Sequence, residues 1–274
     1  MSRLTSDKRV LEYDLNSLYS NIFCFSTTRH GGVSSGNYSS FNCNEYCGDN
    51  IENVIDNRNI LITLLPQKPE KLVFPHQTHG TEVAIIDKDY ISKSEDEQRV
   101  ILEGVDALIT NLKNICLCIS TADCIPILLF DSKNNIVAAI HAGWRGTVNR
   151  IVEKCITLMR DKFHTDPNDL FACIGPGISL DNFEVGNEVY DEFYNKNFDV
   201  NQISFLNKLT GKWHLDLSKA NEIELIKVGV KRENIEYSYI CTYNNNETFF
   251  SARRQGINSG RILSGIMLLS NVRS

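Results

Sequence analysis

TADCIPILLFDSKNNIVAAIHAGWRGT, residues 121–147, contains two apolar runs, PILLFD and IVAAIHA, joined by the polar segment DSKNN. Apolar runs of this length, split by a polar loop of this size, predict an antiparallel hairpin with strands at 126–131 and 136–142. Neither outer end of the hairpin is ordinary. Cys124 sits between Asp123 and a proline-led strand. The second strand sets down His141 and then crowds Trp144 and Arg145 among the small residues Ala142, Gly143 and Gly146. A strand-to-helix turn needs a glycine and a cap, but it does not need a histidine, a tryptophan and an arginine together.

Outward from the hairpin, further strands are expected at 22–27, 71–75, 82–87, 106–110, 115–120, near 169–174 and near 236–241. An amphipathic helix is expected over 147–163, because Ile151, Cys155 and Met159 recur every four residues with Val152, Ile156 and Phe163 alongside. Two more helices are expected at 187–196 and 217–228. Residues 87–99, DKDYISKSEDEQR, read as a polar loop, and TYNNNET at 242–248 as another. Strands cluster early, then helices and strands mix. This order predicts an α+β sandwich with central mixed sheets flanked by helices, rather than a doubly wound parallel sheet. No repeat, low-complexity tract or linker divides the chain, so one domain over 1–274 is expected. No G-x-G-x-x-G or Walker motif is present, which argues against dinucleotide and P-loop readings.

The totals narrow the function. The chain has 274 residues, a net charge of -6, 42% hydrophobic and 23% charged residues. It lacks a basic stretch, so no nucleic-acid partner is expected. It also lacks an apolar run of membrane-spanning length and an apolar leader, so no membrane association and a cytoplasmic location are expected. Nine cysteines in such a chain read as thiols, mostly core-filling. Cys116 and Cys118 share one strand face and read as packing, and Cys43 and Cys47 read as structural.

The chain has six histidines. His76 and His79 lie in PHQTHG between two expected strands, and His141 ends a third. With Cys124 at the start of a fourth, strand ends can bring imidazoles and a thiolate together. Two histidines and one cysteine suit zinc, which then keeps a fourth position open. The same atoms serve a metal-free reading, with Cys124 as nucleophile and His141 as base. The plain alternatives are hydrogen-bonded loop histidines and a core cysteine. Arg29 enters a loop with Gly31, Gly32 and Gly36, and its guanidinium suits a phosphate or carboxylate; Arg145 is a second candidate. Arg253, Arg254 and Arg261 near the C-terminus suggest an anion clamp or a solvated face. Trp144 suggests a base-stacking ring or a wedge beneath the following helix. GPGIS at 175–179 reads as a tight turn.

Taken in order, TTRHGGVS, FN at 41–42, QTHG, ADCIP, HAGWRG, the GPGI turn and FFSARR resemble the family named for a multicopper polyphenol oxidase (laccase) domain. That family is also described as purine nucleoside phosphorylases and as a peptidoglycan editing factor. The resemblance spans about 22–263. It implies a β-sandwich with flanking helices, similar to toxin cysteine-deamidase folds, and a zinc site on His79, Cys124 and His141, with copper as an alternative occupant. It places Arg29 near the substrate and gives Asn42 and Gln77 pocket roles; His76 is a neighbour without a ligand role.

The implied activities are phosphorolysis of adenosine, inosine, guanosine and methylthioadenosine, deamination of adenosine, and copper-dependent phenol oxidation. The expected partners are purine nucleosides and phosphate, acting on a monomer. Cys124, His141 and Arg29 are the expected catalytic residues, and Arg29, Asn42, Gln77 and Arg145 the expected substrate contacts. A full laccase adds a trinuclear cluster that six histidines do not supply. Familiar zinc deaminases carry H-x-E and P-C-x-x-C, which this chain lacks, and Asp123 and Glu82 are assigned no acid–base role. A Cys-His hydrolase or a non-catalytic editing protein in cell-wall synthesis are the remaining alternatives.

Overall fold

Each long strand is buried on both faces, and its alternate residues enter different cores. The fold is that of a computed structural model describing residues 2–270. In chain order the first strands are β1 (Arg3–Leu4), β2 (Val10–Glu12), β3 (Ile22–Thr27), β4 (Lys71–Val73) and β5 (Glu82–Ile85). Next come β6 (Val105–Thr110), β7 (Ile115–Thr121), β8 (Ile125–Asp131), β9 (Ile136–Ala142) and β10 (Leu170–Ile174). The last are β11 (Glu184–Val185), β12 (Ser204–Asn207), β13 (Lys212–Leu215), β14 (Ile235–Tyr237) and β15 (Ile262–Leu268). One six-stranded sheet runs β1-β2-β3-β15-β7-β4, and a second runs β14-β10-β8-β9-β6-β5. A small third sheet runs β11-β13-β12.

The period of two along each strand divides the apolar residues between layers. Leu117 and Ile119 of β7 meet Leu128 and Phe130 of β8 and Val137 and Ala139 of β9 in the core between the two large sheets. Cys116 and Cys118 turn the other way and pack with Phe23, Phe25 and Leu61, the last on the helix Ile51–Leu64. Ile127, Leu129, Ala138 and Ile140 turn outward on the second sheet. They are covered by Ile151, Val152, Cys155, Ile156 and Met159 of the helix Ile151–Phe163 and by Leu217, Ala220 and Leu225 of the helix Leu217–Lys227. Burial of each such aliphatic side chain stabilises by about 1.5–3 kcal/mol. The result is an α+β sandwich of two mixed sheets between helical layers.

The expected hairpin forms with β8 and β9 antiparallel from Ile125↔Ala142 to Asp131↔Ile136. The helix expected over 147–163 is instead two helices, Trp144–Val148 and Ile151–Phe163, because Arg150 between them has a left-handed backbone with φ of 61°. Residues 87–99 are not a loop. They contain the helices Lys88–Ser92 and Glu95–Ile101, the latter started by a capping box between Ser94 and Glu97. The central strand β15 has no counterpart among the expected strands. Its Gly265 lies where a Cβ would stand 2.7 Å from the Phe25 ring, so the register needs a residue that interrupts the apolar pattern. No helix among the described residues is long and apolar enough to cross a membrane.

Candidate active site

Strand register assembles the site. Pro126 of β8 pairs with His141 of β9, and Ala107 of β6 pairs with Ile140. This brings Cys124, just before β8, and Asp106, near the start of β6, to the two flanks of His141. His79 arrives from the loop between β4 and β5. One ligand atom each of His79, Cys124 and His141 lies within 4.8 Å of the others, a grouping that can hold a metal ion.

Asp106 organises this trio. It is fully buried, and its carboxylate accepts 2.7 Å from Nδ1 of His141, 3.1 Å from the His79 amide, 2.6 Å from the Gly80 amide and 3.3 Å from the Thr78 amide. An ionised carboxylate only accepts, so Nδ1 of His141 carries the proton and Nε2 is left for the trio. The wrap of three amides requires the left-handed backbone of His79, whose φ is 63°. Burial raises Asp106, but the His141 hydrogen bond and charge and the surrounding amides outweigh it and lower its pKa.

Cys124 is aimed by a second buried carboxylate. Asp123 has φ of 86° and accepts 2.6 Å from the Thr242 hydroxyl, 2.7 Å from the Ser251 hydroxyl and 2.6 Å from the Arg253 amide. It anchors the turn and does not face the cleft. Burial pushes the Cys124 thiol up, yet His141 and His79 overcome this and hold it at about 6. Burial pushes His141 down, yet Cys124 and Asp106 raise it to about 9. Without a metal, the pair is a thiolate beside an imidazolium.

Gly143 closes the back of the trio. A Cβ there would lie 3.0 Å from His79 Cδ2, 3.1 Å from Cys124 Sγ and 3.8 Å from His141 Nε2. The space a side chain would fill is therefore left to the group between the three donors. Two imidazoles and a low-pKa thiolate, with a carboxylate behind one imidazole, are a donor set that fits zinc.

The trio opens into a cleft of about 280 Å³ lined also by Tyr46, Cys47, His76, Gln77, Thr121 and Arg261. Gln77 is fixed there by paired bonds to Ser120, donating 2.8 Å to its carbonyl and accepting 2.7 Å from its amide. Asn42 lies behind the lining. Its side chain donates 2.9 Å to Asp49 and accepts 3.1 Å from the Arg261 amide.

Arg29 is outside the lining. Its guanidinium donates 2.8 Å to the Ser39 carbonyl and 2.7 Å to the Asn246 carbonyl and lies over Phe250, joining two loops. Arg145 also lies outside the lining, with its guanidinium 4.3 Å from the Trp144 ring centroid, and Trp144 packs against the helical core as a wedge. Of the C-terminal arginines, Arg253 bonds the Glu184 carbonyl at 3.0 Å and Arg254 covers Tyr243. Only Arg261 of the three lines the cleft. Its guanidinium donates 2.5 Å to the Ser259 carbonyl, 3.1 Å to the Gly260 carbonyl and 2.8 Å to the Ile257 carbonyl, and it has no carboxylate partner among the described residues.

Asp106 is not among the candidate residues read from the sequence, and Arg261 carries no more weight there than Arg253 or Arg254. An aspartate opening an otherwise apolar strand was the available signal for Asp106, since an unpaired buried carboxylate is costly.

The chain belongs to the family described as multi-copper polyphenol oxidoreductase laccase, whose pattern matches residues 23–269. It is 51% identical over 268 residues to a protein of Bacteroides thetaiotaomicron named purine nucleoside phosphorylase, covering 98% of this chain and 99% of that one. It is 46% identical over 243 residues to adenosine deaminase RL5 from an unknown prokaryotic organism, covering 88% and 92%. The solved structure of YlmD from Geobacillus stearothermophilus superposes with a TM-score of 0.89 at 28% identity, covering 98% of this chain and 99% of that one.

Proposed function

We propose that this chain is a zinc-dependent purine nucleoside phosphorylase that also deaminates adenosine. The observation that carries the reading is the His79–Cys124–His141 trio, backed by Asp106 and opening on a cleft with one unneutralised arginine. The names of the relatives supply the substrate class. Zinc held by these three donors supplies a Lewis acid with an open position.

The remaining work falls to the chain's own groups. Arg261 meets the phosphate dianion, in place of Arg29 and Arg145, because it is the cationic side chain that lines the cleft. Asp106 holds the Nδ1 proton of His141 and so keeps the ring oriented. Gln77, locked to Ser120, presents a rigid wall. Incubation of the zinc-loaded protein with adenosine and phosphate is expected to give adenine with ribose 1-phosphate, and inosine. Product separation by chromatography checks this, with His141→Ala alongside, and unchanged adenosine overturns it.

One observation favours a second reading. Cys124, His141 and Asp106 also form a nucleophile, base and orienting carboxylate, with the thiol already held at about 6. Zinc analysis separates the two: a stoichiometric metal lost in Cys124→Ala supports the phosphorylase, and amide hydrolysis by metal-free protein supports the hydrolase. A full multicopper oxidase needs a second histidine-rich cluster. The described residues gather one trio of this kind.

A further inference from the structure

Phosphorolysis requires a proton for the departing purine, and the cleft offers few sources. No carboxylate lines it among the described residues. His79, Cys124 and His141 are committed to the metal in the reading above, and a guanidinium such as that of Arg261 does not release its proton. Burial raises the Tyr46 and Cys47 groups, which disfavours their ionised forms. Cys47 is also turned onto the Asn44 carbonyl at 3.3 Å. The one lining group left with proton-transfer chemistry is His76.

His76 is held as a working imidazole would be. Its Nδ1 lies 2.8 Å and 2.9 Å from the two carboxylate oxygens of Glu103. Its ring stacks on Tyr46 with centroids 4.2 Å apart and planes at 23°. Its backbone is fixed too, its amide donating 3.0 Å to Leu102 and its carbonyl accepting 3.0 Å from Gly104. With Nδ1–H given to the carboxylate, Nε2 on the opposite edge has no partner among the described residues. Histidine is the side chain that gives and takes protons near neutrality.

We propose that His76, oriented by Glu103 and Tyr46, is the general acid that protonates the leaving purine at N7. The assignment rests on the nucleoside reading. The C1′–N9 bond breaks with its electron pair going to the purine, and a phosphate oxygen forms the new bond to C1′. Nε2 of His76 delivers a proton to N7, and the proton that hydrogen phosphate surrenders on esterification restores the imidazolium, so charge and atoms balance.

The test compares zinc-loaded wild type with His76→Gln on inosine and on 7-methylinosine, each with phosphate. The methylated purine leaves without taking a proton at N7. His76→Gln is expected to lose about 100-fold in kcat on inosine, to keep nearly unchanged turnover of 7-methylinosine, and to retain its zinc. Equal losses on both nucleosides, or no loss on inosine, overturn the assignment while leaving the phosphorylase reading in place. Failure of the wild type to split either nucleoside overturns both.

Discussion

His141 with Asp106 and His76 with Glu103 are the same chemical pair, an imidazole Nδ1 at 2.7 Å or 2.8 Å from a carboxylate oxygen. Their surroundings differ. The side chains of His141 and Asp106 are 3% and 0% exposed, and those of His76 and Glu103 are 37% and 63% exposed. In the buried pair neither partner has water to fall back on, so the contact is part of the fold. In the rim pair both partners stay solvated, so the contact orients a ring and contributes little to stability. One geometry thus stands buried beside the His79–Cys124–His141 trio in one place and solvated at the cleft rim in the other.

Asp106→Ala should break this contrast most severely. It leaves the buried His141 without its carboxylate and takes the acceptor from three backbone amides, and about 3–5 kcal/mol of stability should go. Zinc affinity should also fall about 10–100-fold. Denaturant unfolding of the metal-free protein and a zinc competition titration measure the two effects. A similar stability loss from Glu103→Ala would erase the distinction between the pairs.

Gly143→Ala places a methyl group against His79 and Cys124. Overpacking there should cost about 1–3 kcal/mol and weaken zinc binding, while the His76–Glu103 rim is untouched. Zinc stoichiometry after dialysis checks it.

Cys124 and His141 should each leave a pH dependence in metal-free protein. Cys124, held down to about 6, contributes stability above the ordinary thiol range and loses it as pH falls through about 6. His141, raised to about 9, contributes below the ordinary imidazole range and loses it as pH rises through about 9. Between these values the two dependences run in opposite directions and nearly offset, so in thermal unfolding the wild-type Tm should vary little with pH from this pair. Cys124→Ala should leave only the His141 dependence, with Tm falling as pH rises. Mass-mapped alkylation of Cys124 should reach half its maximal rate near pH 6 and be suppressed by zinc.

The smallest effect belongs to the rim. Glu103→Gln should change unfolding free energy by no more than about 0.5 kcal/mol. It keeps a hydrogen-bonding group beside His76 but removes the charge. A large drop in Tm would show that the rim pair is structural after all.

How much of this was legible in the sequence varies element by element. The hairpin around DSKNN was readable because both strands are apolar without interruption. The core face of the helix Ile151–Phe163 was readable from its four-residue recurrence. The helix Glu95–Ile101 was missed although Ser94 and Glu97 spell a capping box, because its charged surface outweighed that signal. The three donors His79, Cys124 and His141 were legible as residue types at strand ends, and the family resemblance selected His79 over His76.

Arg29 and Arg261 show where local reading stops. Both are arginines beside glycines, yet one spans two loops and the other faces the cleft. The sequence by itself determined the long strands other than β15, the core face of the helix Ile151–Phe163 and the set of candidate donors, because periodicity and side-chain chemistry are local properties. Only the tertiary structure decided that Asp106 stands behind His141, that Glu103 holds His76, and that Arg261 faces the cleft. Those meetings depend on the register of paired strands and the paths of loops, which are fixed when both faces of each sheet find their packing partners.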